Sequence, residues 1–420
     1  MRATKMIRQL CESCSKRVHA SRFQAVVRVV EGITLSQRAS VTSIGRARPG
    51  RQKARHGIKA VDRLLSNAKL QRERALWYAA LARKLIRRER RVLVLLDWTQ
   101  LQGDVWALVA AMPFHGRSLP LLAKSYDKSA VGSRQVHVAF LRELRSILPE
   151  GCTPVIVADG GFRSPFFVAC EVERMKFVVR LRNERATLQA EGRASFGQAF
   201  ALASAAPKCL GEARPYATSQ LSMSMRIVLG PRPAKSHRRR SARDYERKRA
   251  AEPWLLGTNL ENEAASSIVE IYAHRMQIEE CFRDAKCPRF GWALRFSMTR
   301  SLERFNVMLL LVSLAFACIV LIGAAAVEAG IERGLRASST RRRVLSLFAV
   351  GSLVAKSRIL SQIRLQSAYK HLKVLRAVSR AVFPKITPPR SENRNVSLPL
   401  PHGLFCVDCG WRGAEWGWPL

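Results

Sequence analysis

Three carboxylates in this chain sit where packing alone would not put them. The apolar run from Val92 to Leu96 stops at Asp97, and "TPVIVADGGF" ends a second apolar run at Asp159, ahead of Gly160 and Gly161. Each run has the length and bulk of a buried strand, so each aspartate is expected at a strand end. A carboxylate there costs desolvation and adds nothing to packing, unless it caps the next turn or meets a cation. The third, Glu279, lies in "YAHRMQIEECFRDAK", residues 272–286. At about 100° per residue, Tyr272, Arg275, Glu279 and Lys286 fall within roughly 60° of one another on a helix, and Glu280 points about 100° away. Ile271, Ile278, Cys281, Phe282 and Ala285 form the adjoining apolar stripe, which puts the four polar side chains on the border between core and groove.

Taken alone, this helix reads equally well as an ordinary i, i+4 pair of Arg275 and Glu279, with Tyr272 rimming the core. Two strand-end aspartates and a glutamate packed on the same sheet change the weighing. Three gathered carboxylates repel one another unless cations bind them. Two Mg²⁺ ions answer that need, with Mn²⁺ as a substitute, because both take oxygen donors.

The surrounding sequence must hold these groups. After Val92–Leu96, the runs Val105–Met112 and Ser118–Ala123 follow turns that contain glycine, which predicts three antiparallel strands with the first in the middle of a sheet. "SRQVHVAFLRELRSIL" reads as a helix, "KFVVRLRN" as a fifth strand and "PWLLGTNL" as a returning strand. The chain therefore divides into a helical basic region (1–85), the first part of an α/β core (86–184) and a β-rich insertion (185–253). The second part of the core follows (254–330), and then a C-terminal basic helical region with a Pro-rich end (331–420). Within these, "KSHRRRSARDYERKRA" is a basic loop, and "RASSTRRRVLSLFAVGSLVAK" and "SQIRLQSAYKHLKVLRAVSRAVF" are expected to be basic amphipathic helices.

Composition narrows the function class. Lys and Arg number 72 against 31 Asp and Glu, a formal net charge of +41 spread from end to end, while 48% of residues are hydrophobic. That excludes a disordered polycation and points to a folded protein that tracks a polyanion, nucleic acid first. The ten cysteines are too scattered for a disulfide scaffold, which fits a reducing cytoplasm. Cys11 with Cys14, and Cys406 with Cys409, are each half of a possible zinc ribbon, or free thiols. The N-terminus lacks the apolar segment of a secretory signal. Phe305–Val327 carries no charge and is long enough to span a bilayer, but as a lone run it is read as a buried core helix without stable membrane association.

The order Tyr272, Arg275, Glu279, Lys286 matches the signature helix of the IS4 family of transposases, bacterial insertion-sequence enzymes with a ribonuclease-H-like core. "LLDWTQL", "VIVADGGF", "RHGIKAVDRLLSN" and the sequence after the signature resemble that family too, so the likeness runs from about residue 20 to about 365. It implies a mixed sheet flanked by helices, with a β-rich insertion between Asp159 and Glu279. It also implies a metal-binding catalytic triad of Asp97, Asp159 and Glu279, acting through two Mg²⁺ ions on double-stranded DNA, both transposon ends and target. Tyr272, Arg275 and Lys286 would contact phosphates, and Trp254 would stack on a flipped base. Cut-and-paste movement through a hairpin intermediate, a homodimer holding two ends, and a place on the bacterial nucleoid follow by the same likeness. A DNA-binding relic or regulator that keeps the fold without catalysis is the alternative. The segment from Ser391 to Leu420 matches no feature of the family.

Overall fold

The computed structural model describes residues 3–47, 53–86, 91–182, 186–190, 193–216, 222–232, 252–297, 299, 301–337 and 343–357. The basic loop 235–250, the helix expected over 361–383, the Pro-rich end, the Cys406–Cys409 pair and the segment beyond it lie outside these residues.

The fold is α/β. Helices Ala3–Leu10, Ala20–Ser36, Val41–Ala47, Ala54–Leu65 and Ala68–Ile86, with the short turn Glu12–Ser15, precede the first strand. The strands are β1 (Arg91–Gln102), β2 (Val105–Phe114), β3 (Arg117–Asp127), β4 (Thr153–Ala158) and β5 (Lys176–Leu181), then β6 (Thr187–Gln189), β7 (Arg193–Ser195), β8 (Lys208–Pro215), β9 (Met225–Leu229) and β10 (Leu255–Thr258). They form a ten-stranded mixed sheet in the order β3-β2-β1-β4-β5-β10-β9-β8-β6-β7. β1 is central: it pairs antiparallel with β2 and parallel with β4. The helix Arg134–Ile147 makes the crossover to β4, and Ser164–Val172 the crossover from β4 to β5, as parallel neighbours require.

One expectation changes here. β1 does not end at Asp97 but runs on to Gln102, because its antiparallel partner β2 continues alongside it; only the pairing with β4 stops, at Leu96 opposite Ala158. The strands of residues 187–229, expected as a β-rich insertion, continue the core sheet, since β9 pairs with β10.

The apolar run near residue 305 is the helix Leu302–Glu328, buried at every position from Phe305 to Ala326. Ser301 caps its start by accepting from the Arg304 N–H, and β3 with the N-terminal helices encloses it. Asn306 Oδ1 ties it to β3 by accepting from Ser125 N at 2.8 Å. It is long and apolar enough to cross a membrane, yet its apolar length faces protein on all sides. The helix Leu347–Lys356 was expected to be basic and amphipathic and is instead a short apolar helix docked against it. Gly323 and Gly351 face each other there; a Cβ on either would collide with backbone of the other helix, so these glycines permit the close approach.

Candidate active site

The site begins with strand register. Since Leu96 lies opposite Ala158 in the parallel pair, one further residue on each strand places Asp97 and Asp159 side by side where the β4 pairing ends. Such carboxyl ends of parallel strands are the usual place for a site in an open α/β sheet. Asp97 Oδ1 accepts from the N–H of Trp98 at 2.8 Å, and Asp159 Oδ1 accepts from the N–H of Gly161 at 2.8 Å. Each aspartate thus uses one oxygen locally and turns the other toward the site.

The helical stretch over 272–286 is not one continuous helix. It is Ala265–Ala273 followed by Met276–Lys286, and the join at His274–Arg275 is tightened into i→i−3 bonds, among them Arg275 N to Tyr272 O and Ile278 N to Arg275 O. The tightening alters the expected wheel. Arg275 is buried, and its Nη1 reaches Asp97 Oδ2 at 2.9 Å while its Nη2 pairs with Glu279 Oε1. One guanidinium therefore joins β1 to the signature helix. Burial works against that charge, but Asp97 and Glu279 outweigh it and raise the Arg275 pKa above its ordinary value. Asp97 moves to about 7, first through burial and then through Asp159 and Glu279, against the pull of Arg275.

The other signature residues do not share one groove face. Glu279 is the accessible member, its side chain 42% exposed. Tyr272 is 4% exposed and packs edge-on against Trp254, ring centroids 4.9 Å apart; burial raises its phenol pKa. Lys286 is 8% exposed, and its Nζ donates to Thr99 Oγ1 at 2.7 Å and to Gln100 O at 3.3 Å. Burial and the nearby charge of Arg295 bring its pKa down to about 8. The border position expected for all four holds for Glu279; Tyr272, Arg275 and Lys286 face inward.

Three residues near the site escaped the sequence reading. Arg182 Nη1 lies 3.9 Å from Asp159 Oδ2, and its stem lies over Gly160, where a Cβ would meet Arg182 Cγ at 2.5 Å. Arg180, buried on β5, pairs with Glu252 at 3.5 Å. Two arginines alternating in the otherwise apolar "KFVVRLRN" were the available signal. His137, from the crossover helix, accepts from Trp98 Nε1 at 3.2 Å and packs on Phe162 at 5.0 Å. Burial lowers its pKa to about 4, so it is neutral at physiological pH.

The donor set suits a hard divalent cation: carboxylate oxygens from two adjacent strands and a facing helix. Among the described residues no three His, Cys, Asp or Glu side chains are close enough to ligate one ion, since Arg275 stands between Asp97 and Glu279. Cys11 and Cys14 are both buried free thiols. The protein-family model described as "Transposase DDE domain" matches residues 106–316, which contain Asp159 and Glu279 and begin just after Asp97. No curated protein matches the chain.

Proposed function

The chain belongs to the transposases that carry a DDE domain, a family of phosphoryl-transfer enzymes acting on DNA with a divalent metal, and on that premise we propose that Asp97, Asp159 and Glu279 are its acidic triad. The observation that carries this reading is the register of β1 and β4, which sets the two aspartates side by side, together with Arg275, which links Asp97 to Glu279 across the sheet–helix boundary.

Two Mg²⁺ ions, with Mn²⁺ as a substitute, would supply an activated water or 3′-hydroxyl and stabilise the departing oxygen in an in-line displacement at phosphorus. Asp97, Asp159 and Glu279 would hold them. Arg275 keeps the carboxylates in place beforehand and, once they are otherwise neutralised, turns its two-pronged guanidinium to a DNA phosphate. Lys286 fastens the signature helix to β1 through Thr99; a phosphate contact from it requires its ammonium to leave that hydroxyl. Tyr272 braces Trp254, whose ring is the candidate for stacking on a flipped base.

The finer reading is an IS4-type enzyme that cleaves and joins insertion-sequence ends by a cut-and-paste route with hairpin ends. It works as a homodimer on the bacterial nucleoid, and residues 1–85 contribute basic DNA contacts. The test is nicking of a supercoiled plasmid that carries the DNA bordering this reading frame, with and without Mg²⁺. Wild type is expected to nick only with Mg²⁺, and Asp97→Ala to bind DNA without nicking. Binding without nicking by the wild type would favour a non-catalytic DNA-binding protein and overturn the assignment.

A further inference from the structure

The segment that follows the signature helix, "CPRFGWALRF", repeats one dipeptide on either side of a tryptophan: Arg289-Phe290 and Arg295-Phe296. The tryptophan is an anchor. Trp292 is fully buried, its Nε1 donates to Gln37 Oε1 at 3.0 Å, and its ring packs on Phe348 at 5.2 Å. Its backbone is held as well, with Trp292 N donating to Asp284 O at 2.9 Å and Trp292 O accepting from Ala39 N at 2.7 Å. Arg38 Nη1 adds a bond to Pro288 O at 2.6 Å.

Against that rigid support, Phe290 is 57% and Phe296 55% exposed. Single exposed apolar side chains are common on protein surfaces, but a segment pinned at its centre that shows two phenyl rings at its flanks has a repeated design. The Arg289 guanidinium lies over the Phe290 ring, 5.0 Å from its centroid. Phe296 closes a 3₁₀ turn, Leu294–Phe296, which packs against both β1 and the signature helix. Aromatic faces beside arginines are how sequence-tolerant sites take unpaired bases, the rings by stacking and the guanidinium groups through phosphate. The chain's charge of +41 favours the same polyanion.

We propose that the two Arg-Phe pairs form a stacking platform for unpaired bases of the DNA end; the inference rests on the transposase reading above. Its position follows from helix geometry. From Glu279 to Lys286 the signature helix advances about 10 Å at ~1.5 Å per residue, and the platform begins directly after it. At ~3.4 Å per nucleotide along a strand, an advance of that length spans about three nucleotides, the length of unpaired strand the platform would serve. The platform would keep those bases apart from their partners while the carboxylates act on the backbone.

The experiment uses the full chain in EDTA and two DNA probes: a fully paired duplex, and the same duplex with a three-nucleotide unpaired arm carrying 2-aminopurine. Wild type is expected to prefer the forked probe and to change the 2-aminopurine fluorescence on binding. Phe290→Ala/Phe296→Ala should reduce that preference roughly tenfold, as the loss of a stacked base predicts. Phe290→Trp/Phe296→Trp should keep it, and the thermal midpoint and sedimentation should stay as in wild type. An unchanged fork preference in the alanine variant overturns the platform while leaving duplex binding, and so the transposase reading, intact. A shift of the alanine variant to a smaller sedimenting species also overturns it, assigning the rings to contact between copies of the chain. If the wild type binds neither probe, the transposase reading fails and the platform with it.

Discussion

The signature helix carries two arginine–carboxylate networks of nearly the same composition. At its start, buried Arg275 joins half-buried Asp97 and the more exposed Glu279. Further along, Arg117 from the tip of the β2–β3 hairpin joins buried Asp284, Nε to Oδ2 at 2.5 Å, and the more exposed Glu280 at 3.3 Å, which also pairs with Arg283. In both, burial pushes the inner aspartate up against the pull of its arginine, Asp97 to about 7 and Asp284 to about 6. Pair chemistry therefore does not distinguish a site from a strut. What differs is the neighbour: only the first network opens onto a third carboxylate, Asp159, at the end of a parallel strand pair. The second is closed by the hairpin, where Gln277 Oε1 also accepts from Phe114 N at 3.0 Å.

If that difference decides function, equivalent cuts in the two networks should give different kinds of loss. Asp97→Ala or Glu279→Ala should lower Mg²⁺-dependent nicking by more than about a hundredfold with DNA binding retained, whereas Asp284→Asn should leave the nicking rate close to wild type. Equal loss of activity in the two networks would erase the distinction.

Arg117→Met should act on stability. Removing one partner of a buried pair costs about 3–5 kcal/mol, because a buried charge is left alone. Its pH dependence has a definite sign. The folded pKa of Asp284 already lies above the unfolded value and rises further without Arg117, so stability is lost as pH rises through it. The variant should therefore be more destabilised at pH 8 than at pH 5, as measured by denaturant unfolding at both; the opposite order would mean that Arg117 is not the main counter-charge.

Arg275→Gln should shift the first network toward metal. With the guanidinium gone, Asp97, Asp159 and Glu279 lack their shared counter-charge, and Mg²⁺ should raise the melting temperature more than it does in wild type. Tenfold tighter binding amounts to about 1.4 kcal/mol, or roughly 1–2 °C for a chain of this size. An equal rise in both proteins would show that Arg275 does not compete with the cation. The smallest effect is expected from Glu280→Ala, under about 1 kcal/mol in unfolding and none in nicking, since a partly exposed pair contributes little.

Much of the fold was legible because its strands announce themselves locally. Continuous apolar runs such as Val92–Leu96 and "TPVIVA" can be satisfied only by burial on both faces, which is what central strands of a mixed sheet provide. The helix Leu302–Glu328 was equally plain, although its composition alone could not separate a core from a bilayer; the enclosing β3 and N-terminal helices made it a core helix. The strand of β10 was read from "PWLLGTNL", but its pairing with β9, which extends the sheet, was not legible, because pairing between distant short strands leaves no periodic trace.

The candidate site divides in the same way. Residue types and their order, an aspartate after each of two buried runs and a glutamate at fixed spacing from Tyr272, Arg275 and Lys286, are properties of the chain by itself, and so is its charge. A helical wheel assumes unbroken 3.6-residue turns, so it could not foresee the tightening at His274–Arg275, nor that Arg275 reaches Asp97 and Lys286 reaches Thr99 across the sheet–helix boundary. Nor could it place Arg182 beside Asp159 or His137 against Trp98, since both arrive from other elements. Local sequence determined which groups exist and which are costly to bury; only the packed sheet and helix decided which of them meet, because a long-range contact depends on register and rotation that no single segment encodes.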